Sequence, residues 1–157
     1  MKLTLDVENT VTKRDGKMHL DPFEPENTLV MVGILTDQGQ CLTFPFDHAD
    51  HPNQEDYYER VQMFLDEATV LICHNAAHDL LWLWESGFKY DGPVFDTMLA
   101  EYVLQRGQKE PLSLEACAER YELDTKKQDT LKEYFRQGVS TRDIPYNELT
   151  EYLVSDL

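Results

Sequence analysis

Apolar and polar residues alternate from the start of the chain. In K-L-T-L-D-V (2–7), Leu3, Leu5 and Val7 fall on one face and predict a strand. Residues 11–27 are polar, with Gly16 and two prolines, and read as a turn or loop. T-L-V-M-V-G-I-L (28–35) is a continuous apolar run, the pattern of a buried strand. D-Q-G-Q (37–40) signals a hairpin turn, and C-L-T-F-P (41–45) is the returning strand. After a loop at 47–53, the pattern changes to helical spacing from about Gln54 to Glu67, with Tyr58, Val61, Phe64 and Leu65 on the stripe. T-V-L-I-C (69–73) reads as a short buried strand, followed by a helix from Asn75 to Ser86 that Gly87 is placed to end. V-F-D (94–96) is a further short strand leading into a helix from Thr97 to about Gln105. Pro111-Leu112-Ser113 opens a helix through Tyr121, with Ser113 as its cap. Residues 128–137 form another helix, and Pro145 starts a last one that runs to the chain end. A hairpin followed by βαβ units predicts an α/β fold, a mixed β-sheet flanked by α-helices.

The length, 157 residues, suits one domain with a sizeable core, so residues 1–157 are read as a single domain. No apolar run is long enough to span a bilayer, and the N-terminus reaches charged residues too soon for a signal peptide. The expected setting is cytoplasmic, with no membrane partner. Cys41, Cys73 and Cys117 are far apart and read as free, mostly buried thiols. Thirty acidic residues against fourteen basic ones give a formal charge of −16, which by itself argues against a nucleic-acid partner. A few cations gather late, at Lys126, Lys127, Lys132, Arg136 and Arg142.

Several carboxylates stand in unusual places. Asp6 and Glu8 are two apart on the first strand, so both leave on the same face, roughly 7 Å apart, with Thr4. Such a pair is either a solvated strand end or a site bridged by a cation. Asp79 lies within H-D-L-L-W-L-W, where an isolated carboxylate costs several kcal/mol unless paired. Asn75 precedes it by one helical turn. The alternative for Asp79 is an acid favoured by the helix N-terminus. On the last helix, Asp156 continues the face of Leu149, Tyr152 and Leu153, and Tyr152 sits one turn before it. Its alternative is a terminal acid in water. Together, Asp6, Glu8, Asp79 and Asp156 supply four hard oxygen ligands, which suit Mg²⁺ or Mn²⁺ rather than zinc. A pair of such ions is one solution for phosphodiester hydrolysis, and Tyr152 would orient the attacking water.

Zinc is the rival, because H-N-A-A-H (74–78) has two histidines at helical spacing. That motif requires Glu directly after the first histidine, and Asn75 occupies the position. His48 and His51 form a second pair, read as a solvated loop.

L-D-V-E-N-T (5–10), H-N-A-A-H-D (74–79) and Y-L-V-S-D (152–156), in that order, resemble the three exonuclease motifs of the DEDD superfamily of 3′–5′ exonucleases. More narrowly, the chain looks like the proofreading domain of family A (polymerase I-like and phage) DNA polymerases. The Tyr-x-x-x-Asp form of the third motif marks the tyrosine subclass. F-D-T-M-L-A-E-Y-V-L (95–104) and L-S-L-E-A-C-A-E-R-Y (112–121) follow the same family's pattern.

The resemblance implies a ribonuclease H-like fold and two divalent cations, Mg²⁺ or Mn²⁺, held by Asp6, Glu8, Asp79 and Asp156. It implies that Tyr152 positions the water and that Asn9, Thr10 and Asn75 hold the terminal nucleotide. His78 stands where the family often carries Tyr or Phe, and would stack on a base or sugar. The implied activity is removal of nucleotides from a single-stranded or frayed DNA 3′ end. The implied neighbour is a polymerase domain or subunit, in a bacterial or phage-infected cell. Phe44, Phe46, Tyr57, Tyr58 and Tyr134 are candidates for base stacking or for core packing. The alternatives are a ribonuclease D-like RNA exonuclease and a catalytically weak single-strand-binding or scaffold domain.

Overall fold

A computed structural model describes residues 1–123 and 128–157 of the chain; Lys126 and Lys127 of the late cationic group lie outside them. Five strands form one mixed sheet in the order β5-β4-β1-β6-β7. They are β1 (Lys2–Asn9), β4 (Leu29–Thr36), β5 (Cys41–Pro45), β6 (Val70–Cys73) and β7 (Val94–Asp96). β1 runs antiparallel to β4 and parallel to β6, so it is the central strand where the hairpin half meets the βαβ half.

The remaining pair, β2 (Thr12–Arg14) and β3 (Lys17–His19), forms a separate hairpin inside the stretch read as a loop. Its turn residues, Asp15 and Gly16, both have positive φ (51° and 74°). Asp-Gly is the dipeptide that supplies such a turn, and each strand is too short for alternation to register.

The helices of the described residues lie on both faces and at one end of the sheet. α1 (Tyr57–Glu67) and α2 (Ala76–Glu85) cover the face of Leu3, Leu5 and Val7. α5 (Gln128–Arg136) and α6 (Tyr146–Asp156) cover the other face through Leu131, Leu149 and Leu153. α3 (Thr97–Leu104) follows directly from β7, and α4 (Leu114–Arg120) starts at Ser113, whose hydroxyl accepts from the Ala116 N–H. A 3₁₀ turn at Thr141–Asp143 precedes α6. The expected α/β fold, a mixed β-sheet flanked by α-helices, is the one observed.

α2 is less buried than its composition suggested. Leu81 and Trp84 are exposed, and the buried stripe is Ala76, Asp79, Trp82 and Leu83. A carboxylate thus occupies a core position of the helix. Phe44, Phe46, Tyr57 and Tyr58 make ring contacts with one another or with Phe88, and Tyr134 packs in the second core. These five rings are engaged internally. The three cysteines are free, with Cys73 and Cys117 buried and Cys41 exposed. Among the described residues, no helix is long and apolar enough to cross a membrane.

Candidate active site

The alternation of β1 sets the site. Leu3, Leu5 and Val7 are 0–4 % exposed, whereas Asp6 and Glu8 leave on the opposite face and are half-buried. Across the sheet, Asp6 pairs with Gly33 and Glu8 with Met31 on β4. At Gly33 the missing side chain matters: a Cβ there would lie 2.8 Å from Cγ of Leu153. Leu153 therefore packs directly onto the sheet backbone, which seats α6 close enough to bring Asp156 beside Asp6. The register shifts between Glu8 and Asn9, a bulge at the point where the strand leaves the acids.

Asp6, Glu8 and Asp156 converge. Each offers a carboxylate oxygen, and the three atoms lie within 4.8 Å of one another. The trio comes from the middle of the sheet and the last turn of α6, elements about 150 residues apart in sequence. A cavity of about 330 Å³ opens beside it, lined by Thr4, Asp6, Cys73, His74, Thr97 and Asp156 among others.

Asp79 reaches the same region from the other side. β6 pairs with β1 only as far as Thr4–Ile72, so the Val7 N–H lies past its end. The Asp79 carboxylate accepts that N–H at 3.2 Å and is 1 % exposed. It is not one of the three mutually close carboxylates, but its charge acts on both Asp6 and Glu8.

The electrostatics are those of crowded buried acids. Burial, then the charges of Glu8, Asp79 and Asp156, push Asp6 well above the usual carboxylate range. Burial and the charges of Asp156 and Asp79 raise Glu8 to about 8. Asp79 is raised to about 7 by burial, against the opposing hydrogen bond from Val7. Asp156 is raised to about 6 by burial; hydrogen bonding to Tyr152 and the nearby His74 pull it back in part. Tyr152 is raised by burial and by the charges of Asp156, Glu8 and Asp6, so its phenol keeps its proton. Asp156 also ends its helix, where the macrodipole disfavours an anion. A cation would favour the charged form of such a set, and its donors are all hard oxygens. It fits Mg²⁺ or Mn²⁺ and offers no soft or imidazole ligand set for zinc.

The other residues named from the sequence fall into two groups. Asn75 is exposed at the start of α2 in a left-handed conformation (φ 66°), with its side chain free of any capping bond. His78 is half-buried, with Nε2 3.0 Å from the Asn9 side-chain oxygen, and burial lowers its basicity. Asn9 and Thr10, by contrast, are buried. Asn9 donates to the Thr10 and Leu20 carbonyls, and the Thr10 hydroxyl accepts the Thr28 N–H. These two side chains tie the chain leaving β1 to its surroundings. Of the histidine pairs, His74 bonds Thr97 and the Leu112 carbonyl. His48 is buried against the Ile144 carbonyl, and His51 stacks on Tyr146.

Asp96 and His74 were not singled out as working parts from the sequence. The Asp96 carboxylate accepts the N–H groups of Asn75 and Ala76 and also those of Met98 and Leu99. One acid thus anchors the starts of two helices. Its readable signal is a single Asp immediately before a helix, in F-D-T-M-L. Nothing local marks it as the anchor of α2 as well, twenty residues back.

Fold and acid cluster together define a DEDD-type nuclease architecture. The family model described as 3′–5′ exonuclease, of the DNA polymerase A type, matches residues 17–157, and the chain belongs to that family. The match begins after β1, so Asp6 and Glu8 enter the site on the geometry above. No curated protein matches the sequence. Among solved structures, one described as the apo form of the nuclease aligns with a TM-score of 0.63 at 20 % identity, covering 99 % of this chain and 65 % of that one. Brucella melitensis NrnC with bound Mg²⁺ aligns with a TM-score of 0.63 at 22 % identity, covering 99 % and 66 %. The family B DNA polymerase of the hyperthermophilic archaeon Pyrobaculum calidifontis gives 0.62 at 17 %, covering 98 % and 22 %. The chain thus spans just under two thirds of the two nucleases and about a fifth of the polymerase.

Proposed function

We propose that this chain hydrolyses the terminal phosphodiester of single-stranded or frayed DNA from the 3′ end, as a proofreading-type exonuclease dependent on two divalent cations. The observation that carries the reading is the meeting of Asp6, Glu8 and Asp156 within 4.8 Å. A carboxylate trio on a sheet face, raised by burial, is a poor solvated surface and a good cation cradle. Asp6, Glu8 and Asp156 would hold one ion, and Asp79 would contribute to a second. The Mg²⁺ in the NrnC structure supports the choice of ion. When bound, such ions neutralise charge on the phosphate and make water a better nucleophile near neutral pH.

The chain's own residues do the positioning. Tyr152 keeps its phenolic proton beside Asp156 and can hold a water by one hydrogen bond while its ring packs on the second core. The exposed Asn75 side chain is free to bind the terminal nucleotide, and His78 stands one turn along the same helix. Asn9 fixes the His78 ring from below.

Digestion of 3′-labelled single-stranded DNA with Mg²⁺ or Mn²⁺ tests this reading, with RNA of the same sequence run beside it. Stepwise shortening that stops in EDTA and in Asp6→Ala is expected. Equal shortening by Asp6→Ala and the parent protein would remove the assignment. Preference for the RNA would move the substrate class and keep the site.

A further inference from the structure

α3 buries its polar side and exposes its apolar one. The buried residue within the helix is Glu101, whose carboxylate accepts from the Arg120 guanidinium at 3.1 Å and from the Tyr121 hydroxyl at 2.7 Å. Gln105, one turn further on, is buried as well, and its side-chain oxygen accepts the Glu110 N–H. Leu99, Tyr102 and Val103 stand at three- and four-residue spacing on the opposite stripe, and they are 59 %, 63 % and 65 % exposed. Leu104 ends the helix exposed, and Val94 and Phe95 are exposed on β7, the edge strand that leads into it. A surface helix ordinarily does the reverse, with its apolar stripe on the core.

Charge sets the same region apart. Residues 92–109 hold Asp96 and Glu101 against Arg106 and Lys109, a balance of zero, whereas the whole chain holds 14 cations against 30 acids. Glu101 is engaged beneath the helix, and Asp96 caps its start. Arg106 is exposed just past its end. The outward stripe is therefore uncharged along its middle, with an anion at one end and a cation at the other. Such a surface is its own complement under a twofold axis: two α3 helices laid antiparallel bring Arg106 of each copy to the Asp96 end of the other. Over the remainder of the chain the excess of acids makes two copies repel. At about 150–250 Å² for a large side chain, and roughly half exposed, the six apolar residues present on the order of 600 Å². Two copies face to face would remove about 1,200 Å² from water, above the roughly 1,000 Å² that a specific interface needs.

We infer that the β7–α3 face is a homodimer interface, closed by a second copy of this chain with its α3 antiparallel to the first. None of the six apolar residues lines the acid cavity, so the pairing leaves that cavity uncovered by the interface. The inference goes beyond the exonuclease reading and is measured without substrate.

The test is sedimentation of the purified protein over a range of concentrations, in EDTA. A monomer–dimer equilibrium with a Kd of about micromolar is expected. Leu99→Asp and Val103→Lys place charges of opposite sign on the stripe, and each should raise that Kd by at least about 30-fold. Both positions are exposed, so far-UV circular dichroism of the two variants should match the parent. Met63→Asp puts the same kind of change on an exposed apolar residue of α1 and should leave the Kd unchanged. Deuterium uptake by α3 should fall as the parent is concentrated. A parent that stays monomeric at every concentration would overturn the inference. So would a Kd that Leu99→Asp and Val103→Lys leave unchanged, or one that Met63→Asp raises equally. A dimer whose α3 takes up deuterium as fast as the monomer does would also sink it, because the contact would then lie elsewhere. Exonuclease activity enters none of these outcomes, so either reading can fail without the other.

Discussion

Leu3, Leu5 and Val7 leave β1 on one side and meet α1 and α2 in a closed apolar core. Thr4, Asp6 and Glu8 leave the same strand on the other side and meet the end of α6, where three carboxylates crowd together. The two sides have the same backbone and neighbouring strands, and differ only in side-chain parity. On the apolar side the folding energy comes from excluding water. On the acidic side folding works against charge burial, and the surrounding structure must hold the acids in place. The first side is self-sufficient; the second gathers charge that a cation would offset.

Adjacent substitutions on β1 should separate these roles most sharply. Leu5→Ala removes buried side chain and is expected to cost about 2–5 kcal/mol, read in chemical denaturation. Asp6→Ala should cost no stability in EDTA, because it relieves repulsion, while activity falls on the order of 10³-fold. A stable Leu5→Ala, or an Asp6→Ala destabilised in EDTA, would break the contrast.

Tyr152→Phe should slow hydrolysis by about 10²-fold. Calorimetric Mn²⁺ affinity should stay near that of the parent, because the phenol addresses water rather than the ion. Collapse of Mn²⁺ affinity would make Tyr152 part of the cation cradle instead.

Gly33→Ala adds a methyl where Leu153 rests and should cost about 1–3 kcal/mol. Because α6 must shift to accept it, Mn²⁺ binding should weaken in step with stability. Lost stability at unchanged Mn²⁺ affinity would show that α6 can move without displacing Asp156.

The last effect is the most graded. Glu8, Asp79 and Asp156 titrate higher in the fold than in the unfolded chain, at about 8, 7 and 6. The native state therefore binds more protons, and the cation-free protein should lose stability as pH rises from about 4 to 8. At pH 8, Mn²⁺ at about 100 times its Kd should restore about 2.7 kcal/mol, a rise of roughly 5–10 °C in Tm. A flat cation-free pH profile would contradict the charge burial described for the acidic face.

Much of this was legible in the sequence because both periodicities are clean where the elements are long. β1, β4 and α6 each carry several residues of pattern, and the parity of Asp6 and Glu8 follows from the strand alone. The β2–β3 hairpin was missed because each strand has three residues, too few for alternation to register, although Asp15-Gly16 marked its turn. The engagement of Asn9 and Thr10 was invisible for another reason. Their partners, Leu20 and Thr28, are brought near by the hairpin and by β4, so the contacts exist only after the chain has folded back. Composition alone would count Leu81 and Trp84 of α2 as core, whereas both are exposed. The convergence of Asp156 with Asp6 depends on Gly33, a small residue whose role is space.

Asp96 holds the first amides of α2 and of α3 with one carboxylate. The four N–H groups of Asn75, Ala76, Met98 and Leu99 should accordingly exchange with deuterium as a block, at one common rate, although they belong to two helices. The Asp96→Asn amide, still able to accept but no longer anionic, should speed all four together.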